Sequence, residues 1–287
     1  MDIGIGLPNA LAGVRGRDLV EWAVAAEQRG FSVLGTIGRI VFDTHEELIA
    51  LTGAAAVTER IRLMSTVMIS PPRQPALLAK QAATLDHISE GRFRLGMGTG
   101  WRPDDYTVMG ASFDDRGADL DKLIDALQAT WDHKAIAGAE TPIGPEPYTD
   151  GGPPIVLGGS SPRALRRAGQ RADAWMSTPS APDDIVTNFA IVRAAAERHG
   201  RPVPRLYASF YFGLGDVADE VHSNVEAYYS FGGPDFVELI HGSVLRTAEA
   251  ITQTVSALEG IGVDELCLWP QARGLSQLND LADILGL

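Results

Sequence analysis

Glycines and serines directly follow one short apolar run of the sequence. Residues 153–170 read PPIVLGGSSPRALRRAGQ, so Gly158, Gly159, Ser160 and Ser161 stand between that run and a helical pattern. Glycines let a ligand approach the backbone, and a helix start offers free N–H groups to a phosphate. An ordinary turn with a serine N-cap uses the same residues. The residues alone leave both interpretations open.

A second glycine-rich stretch reads GMGTGW and ends another apolar run. It carries Gly96, Gly98 and Gly100 at alternate positions, with Thr99 between them and Trp101 behind. Glycine weakens a strand, so its repeated use predicts a flat ligand lying against the backbone. The G-x-G-x-G spacing differs from the dinucleotide-binding fingerprint. Trp101 would stack on the ligand or close the opening above it.

Familiar patterns of metal-binding and nucleophilic residues are absent from the sequence. Its six histidines form no pair with metal-ligand spacing, and neither a P-loop nor a G-x-S-x-G elbow occurs. The three lysines fall in helical or loop patterns, which argues against a Schiff-base aldolase. The sequence therefore predicts no metal site.

Eight apolar runs alternate with helical stretches and predict the scaffold that positions these residues. Most runs are continuously apolar, which is typical of parallel strands covered on both faces. Eight strand–helix units favour a closed (β/α)8 TIM barrel over an open sheet, with its chemistry at the carboxyl ends of the strands. The predicted strands are residues 3–7, 31–35, 61–69, 93–98, 154–159, 173–177, 205–213 and 264–269.

Two segments interrupt this repeat. Residues 133–153 are rich in glycine and proline and predict an insertion after strand four, and residues 230–247 predict another after strand seven. Long insertions in a compact domain are functional loops, lids or surface decoration. The alternation resumes in the same style after each, so residues 1–287 are interpreted as one domain.

Charge and composition exclude several classes of partner. Lys and Arg total 24 against 37 Asp and Glu, and the net charge of −13 disfavours duplex nucleic acid and anionic membranes as partners. The sequence has no signal-peptide pattern and no apolar stretch of membrane-spanning length. Its one cysteine, Cys267, lies in an apolar run and suits a reducing compartment. These features predict a cytoplasmic protein.

Long stretches of the chain resemble the bacterial luciferase-like superfamily of flavin- or deazaflavin-dependent oxidoreductases. The similarity is carried by PALLAKQAATLDHISEGRFRLGMGTGW with the following RPDDYTVMGASFDDRGADLDKLIDALQATW, by PPIVLGGSSPRALRRAGQRADAWMS and by EAITQTVSALEGIGVDELCLWP. It covers nearly the whole chain in the family's order. The resemblance implies a (β/α)8 barrel and a cofactor at its carboxyl end.

The resemblance also assigns residues to that cofactor. It implies that the turn from Gly158 to Ser161 holds the phosphate, and that Thr66 and Val67 form a non-proline cis peptide beneath the ring. Residues 98–100 then match the loop beside the ring, and Trp101 lies at its edge.

One position departs from the family pattern. Many relatives carry an Asp-His pair after strand two, whereas this sequence has Thr36 and Ile37 there, and His45 comes too late to replace the pair. Thr36 is therefore assigned to the substrate pocket together with Trp101, and no catalytic residue is assigned. Phe210, Tyr211, Phe231 and Phe236 would line the same aromatic mouth or simply pack.

The family includes two kinds of reaction, and the sequence leaves the choice between them open. With reduced FMN from a partner reductase such a protein activates oxygen, and with coenzyme F420 it transfers a hydride. The resemblance also implies a small-molecule substrate and a homodimer. Two further interpretations are a non-catalytic flavin-binding barrel and a flavin-free phosphate-binding isomerase or lyase. The latter would need carboxylates or lysines at several strand ends, and the chain has few.

Overall fold

The computed structural model describes residues 1–132 and 140–287. Its strands are all parallel and close into a barrel, because the pairing runs from β3 through β1 and β9 to β5 and returns from β5 to β3. The predicted (β/α)8 TIM barrel is confirmed. The strands are β1 (Asp2–Gly6), β2 (Val33–Thr36), β3 (Arg62–Ser65), β4 (Met68–Ile69), β5 (Phe93–Gly98), β6 (Ile155–Gly158), β7 (Ala174–Ser177), β8 (Arg205–Phe212) and β9 (Glu265–Pro270).

The predicted third strand, residues 61–69, is present in two halves. Both β3 and β4 pair with β5, so together they make one of the eight barrel strands. Thr66 and Val67 separate the halves, and the peptide bond between them is cis. The interruption stands at the position where the resemblance implied it.

Helices surround the barrel, and local signals set their ends. Gly30 ends the first helix in the left-handed conformation at φ 90°, and Pro75 begins the third helix, where its missing N–H leaves no carbonyl unpaired. No helix in the described ranges is long and apolar enough to cross a membrane. The helices are α1 (Gly16–Arg29), α2 (Glu47–Ala55), α3 (Pro75–Ile88), α4 (Pro103–Val108), α5 (Arg116–Trp131), α6 (Pro162–Arg171), α7 (Pro182–Arg198), α8 (Ala218–Tyr229), α9 (Pro234–Gly242), α10 (Ala248–Gly260) and α11 (Leu275–Leu285).

The first predicted insertion, residues 133–153, lies in part outside the described residues. From residue 140 onward it contacts the end of α3: Thr149 donates from its backbone N–H and its hydroxyl to Asp86, at 2.7 and 3.1 Å, and Lys80 donates to the carbonyl of Gly144 at 2.7 Å. The chain enters β5 from that end of α3, so these contacts lie at the amino-terminal face of the barrel. The described part of this insertion is therefore remote from the strand ends that carry chemistry.

The second predicted insertion, residues 230–247, follows α8 and lies at the opposite face. A single 3-10 turn, Ser230–Gly232, leads into α9. The segment then returns beside the end of β8, where Leu245 donates to the carbonyl of Tyr211 at 2.8 Å and accepts from Gly213 at 3.0 Å. This insertion reaches the carboxyl ends of the strands, which we call the mouth.

Charged residues fill the amino-terminal end of the barrel. Glu265 is fully buried and accepts from Arg62 at 2.8 Å and from Arg94 at 2.9 Å. Arg62 also donates to Asp2 at 2.6 Å, and this hydrogen bond lowers the pKa of the Asp2 carboxyl against the opposing effect of burial. The ion pairs close the end of the barrel that faces away from the mouth.

Candidate functional site at the barrel mouth

The interruption between β3 and β4 directs one side chain toward two neighbouring strands. A β-carbon at Gly98 would lie 2.7 Å from Cγ2 of Val67, and one at Gly158 would lie 2.9 Å from the same atom. A β-carbon at Gly96 would lie 1.7 Å from the carbonyl oxygen of Ser65. The protein itself thus occupies the space beside these three glycines. Close packing by the protein is therefore a sufficient reason for glycine at these positions, and the flat ligand expected beside Gly96 and Gly98 stays a prediction.

Val67 nevertheless offers a surface to a ligand. Its side chain is only half-buried, whereas Gly98 behind it is buried. Thr99 and Gly100 continue the rim beside it, and Gly100 adopts φ 60° against the side chain of Ile69. The carbonyl of Thr99 accepts a hydrogen bond from the hydroxyl of Tyr106. The structure therefore brings Val67 together with the residues predicted to flank a cofactor ring.

Thr36 lies in the closed floor beneath this surface. Thr66 donates to the carbonyl of Thr36 from its backbone N–H at 2.8 Å and from its hydroxyl at 3.2 Å. The side chain of Thr36 is fully buried, and its hydroxyl has no partner among the described residues. The backbone of Thr36 thus supports Thr66 while its side chain is enclosed, and its assignment to the substrate pocket stays a prediction.

The turn between β6 and α6 separates the two serines. Ser161 is the N-cap of α6, and its hydroxyl accepts from the N–H of Ala164 at 3.2 Å. Ser160 is exposed and makes no side-chain hydrogen bond to the described residues. Gly159 adopts φ 115°, and its carbonyl accepts from Nε1 of Trp175 at 3.0 Å. The capping interpretation holds for Ser161, whereas the hydroxyl of Ser160 and the backbone N–H of Arg163 have no partner among the described residues and are available to a ligand.

Aromatic side chains cover part of the mouth, and we call Trp101, Tyr229, Phe231 and Phe236 the aromatic roof. The ring of Trp101 meets those of Phe231 and Phe236 edge-on, each at 4.8 Å between centroids, and Trp101 is still 53% exposed. Tyr229 joins them 5.6 Å from Phe236. The predicted substrate-pocket residue Trp101 therefore stands at the edge of the mouth.

Tyr211 connects the aromatic roof to the barrel. Its hydroxyl hydrogen-bonds that of Tyr229, and burial raises the pKa of both groups. Phe210, the preceding residue, packs instead against the core between barrel and helices. The alternation of side chains along a strand causes this difference, and of the two alternatives stated for Phe210 the structure shows packing.

Sequence reasoning missed Arg39, which follows β2 at the mouth. Its side chain is 8% exposed and is enclosed by aromatic rings described below. The signal in the sequence is a lone arginine within the apolar loop GRIVF. His45, farther along that loop, hydrogen-bonds the carbonyl of Val14 at 3.0 Å through Nε2. In the described ranges no cluster of His, Cys, Asp and Glu could hold a metal ion.

The sequence matches a family model described as luciferase-like monooxygenase over residues 1–261. The chain belongs to the luciferase-like monooxygenase family. This membership confirms the resemblance carried by the glycine-rich stretches, and the matched range includes Thr66, Val67 and the turn after β6.

Two curated relatives illustrate how this luciferase-like protein compares by sequence. An uncharacterised protein of Mycobacterium tuberculosis is 37% identical over 166 residues, which are 55% of this chain and 57% of that protein. The pyrimidine monooxygenase RutA of Methylobacterium radiotolerans is 32% identical over 226 residues, which are 71% of this chain and 55% of that protein. The chain thus matches less than two thirds of the length of either relative.

Solved structures show the same fold over the whole chain. Monooxygenase RslO1 from Streptomyces bottropensis has a TM-score of 0.81 at 21% identity, covering 100% of this chain and 97% of that one. An F420-dependent secondary alcohol dehydrogenase in complex with an F420-acetone adduct has a TM-score of 0.77 at 17% identity, covering 99% of this chain and 97% of that one. The FMN-bound oxygenating constituent of 3,6-diketocamphane monooxygenase from Pseudomonas putida has a TM-score of 0.75 at 18% identity, covering 99% of this chain and 96% of that one.

Proposed function

We propose that this luciferase-like protein is an oxidoreductase that binds FMN or coenzyme F420 at the mouth and acts on a small organic substrate. The turn after β6 is the observation that carries the proposal. Ser161 caps α6 there, while Ser160 is exposed and unbonded among the described residues beside Gly159. An anionic phosphate is stabilised by such a helix start. Relatives of this fold bind FMN and F420.

The residues at the mouth fit a phosphate-bearing flavin or deazaflavin. Residues 159–163 would hold the phosphate, and the half-buried face of Val67 with Thr99 and Gly100 would lie against the ring. The bound cofactor supplies either hydride transfer or oxygen activation. The chain's own contribution is position and exclusion of water, since the aromatic roof lies over the same end of the barrel.

The choice between FMN and F420 stays open. A partner reductase, a homodimer, the cytoplasmic location and the single-domain interpretation of residues 1–287 stay predictions. The buried Thr36 and the neighbouring Ile37 offer no titratable group where many relatives have Asp-His. This absence of an acid or base favours a second candidate, a flavin-binding barrel without catalysis. Turnover with an electron donor distinguishes the two.

Ser160→Ala tests the phosphate site separately from the helix cap. Calorimetric titration with FMN and with F420, oxidised and reduced, gives the affinity of each variant. We expect Ser160→Ala to weaken binding by about 1–2 kcal/mol, the scale of a lost hydrogen bond to a charged group, with unchanged stability. Ser161→Ala should in addition lower the free energy of unfolding by about 1 kcal/mol, because it removes the cap.

Ser223→Ala, at an exposed position on α8, is the matched control: it should leave cofactor affinity unchanged and should not lower the free energy of unfolding, because alanine favours a helix more than serine does. Tight binding of reduced FMN would favour oxygen chemistry, and preference for F420 would favour hydride transfer. Binding of neither cofactor, or wild-type affinity in Ser160→Ala, would contradict the proposed site.

A further inference from the structure

Arg39 is a buried cation held between two aromatic rings. Its Cζ atom lies 4.3 Å from the ring centroid of Phe42 and 4.2 Å from that of Tyr228. Nη1 donates to the carbonyl oxygen of Tyr228 at 2.6 Å. These contacts fix the plane of the guanidinium between the loop after β2 and the end of α8.

The opposite edge of this guanidinium is unused. Nε is buried without a hydrogen-bond partner, and Nη2 has none among the described residues. Nε and Nη2 carry parallel N–H groups that match the two oxygens of a carboxylate. A buried charged donor without a partner is costly, so native structures rarely leave one unexplained.

The neighbouring carboxylates form no ion pair with Arg39. Asp105 is fully buried; its Oδ1 accepts from the backbone N–H of Val41 at 2.7 Å, and its Oδ2 has no hydrogen-bond partner among the described residues. Asp104 pairs with Arg102, whose own guanidinium lies 4.7 Å from the ring of Phe231. Arg39 forms no ion pair with either of them. The Nε–Nη2 edge of Arg39 thus has no acceptor among the described residues.

We propose that the Nε–Nη2 edge of Arg39 binds the carboxylate of the substrate, and that the aromatic roof receives the substrate's apolar part. The two elements adjoin each other: Cζ of Arg39 is 5.4 Å from the ring of Phe231, which contacts Trp101. The substrate class is a small aromatic or apolar carboxylic acid. This inference rests on the proposed function, because the substrate meets the cofactor at this mouth.

A purely structural role for Arg39 makes a different prediction. If the arginine only joined the loop after β2 to α8 through ring stacking, its removal would affect charged and neutral ligands alike. Binding of a carboxylate must instead depend on the charge of the ligand. Benzoate and benzamide have nearly the same size and shape and differ in that charge, so they are suitable probes.

Calorimetric titration of the full chain with benzoate and benzamide tests the proposal. We expect benzoate to bind at least about tenfold more tightly than benzamide, the scale of a charge-assisted hydrogen bond. Arg39→Gln should remove this preference, because it weakens the binding of benzoate and leaves the binding of benzamide unchanged. Arg39→Lys should reduce it to a few-fold, because an ammonium cannot form the bidentate pair. Arg17→Gln, whose side chain is 83% exposed on α1, should retain the full preference.

Three results would overturn the proposal. The first is equal affinity of the wild-type protein for both probes, and the second is an undiminished preference for benzoate in Arg39→Gln. The third is an equal loss of affinity for benzoate and benzamide in that variant. If Arg39→Gln fails to fold, Arg39→Lys decides, since an undiminished preference there excludes the bidentate edge. Cofactor titration without either probe separates this inference from the proposed function. Cofactor binding without benzoate preference refutes only the inference, and benzoate preference without cofactor binding refutes only the proposed function.

Discussion

Gly98→Ala tests whether glycine at this position is required by the protein or by a ligand. The new β-carbon would lie 2.7 Å from Cγ2 of Val67, which is closer than β-carbons come to non-bonded heavy atoms in real structures. Gly98 is not among the glycines with positive φ, so the backbone itself tolerates alanine. The cost should therefore come from the contact with Val67 alone.

The magnitude follows from that contact. We expect Gly98→Ala to lower the free energy of unfolding by about 2 kcal/mol, within the range for an overpacked methyl group. Val67→Ala should cost about 1 kcal/mol, because its side chain is only half-buried. The double variant removes Cγ2 and with it the collision, so it should be more stable than the sum predicts by about 1–2 kcal/mol.

Urea unfolding followed by circular dichroism measures these free energies, and titration with FMN and F420 on the same samples measures binding. Gly53→Ala is the control, since a β-carbon there meets nothing within 4 Å and should stabilise α2 slightly. Additive effects of Gly98→Ala and Val67→Ala would refute the packing argument. A double variant that regains stability but binds no cofactor would show that a ligand also needs the glycine.

Three further predictions concern ionisable groups. Glu265→Gln should lower the free energy of unfolding by about 3 kcal/mol in urea, because it leaves buried arginines without their carboxylate, while cofactor affinity at the far end of the barrel stays unchanged. Burial and the adjacent Arg246 lower the pKa of His241, so NMR titration should show a higher His241 pKa in Arg246→Gln. Because folding lowers this pKa, the folded state favours the neutral ring. The free energy of unfolding of the wild-type protein should therefore fall as the pH drops below about 6.5. Cys267 is fully buried with a raised pKa, so a thiol reagent should modify it only in denaturant, and rapid labelling of the native protein would contradict its position.

The barrel could be predicted from the sequence because the signals are local. Eight mostly apolar runs alternate with helical patterns, and the structure places strands at all of them. Trp101 and the turn at Gly158 could be assigned to the mouth, since in a parallel barrel the residues that follow each strand lie at one end. The family resemblance added the position of the cis peptide at Thr66–Val67.

The sequence alone thus determined the fold class and the order in which residues reach the mouth. Only the tertiary structure decided which side chains face each other there. The side chain of Val67 occupies the space that a side chain at Gly98 would need. Arg39 lies against Tyr228, which is 189 residues farther along the chain. The first contact depends on strand register and the second on where α8 packs over the barrel, and no local pattern encodes either. The physical reason is that packing and burial are set by elements distant in sequence, whereas strand and helix propensity are set by neighbours.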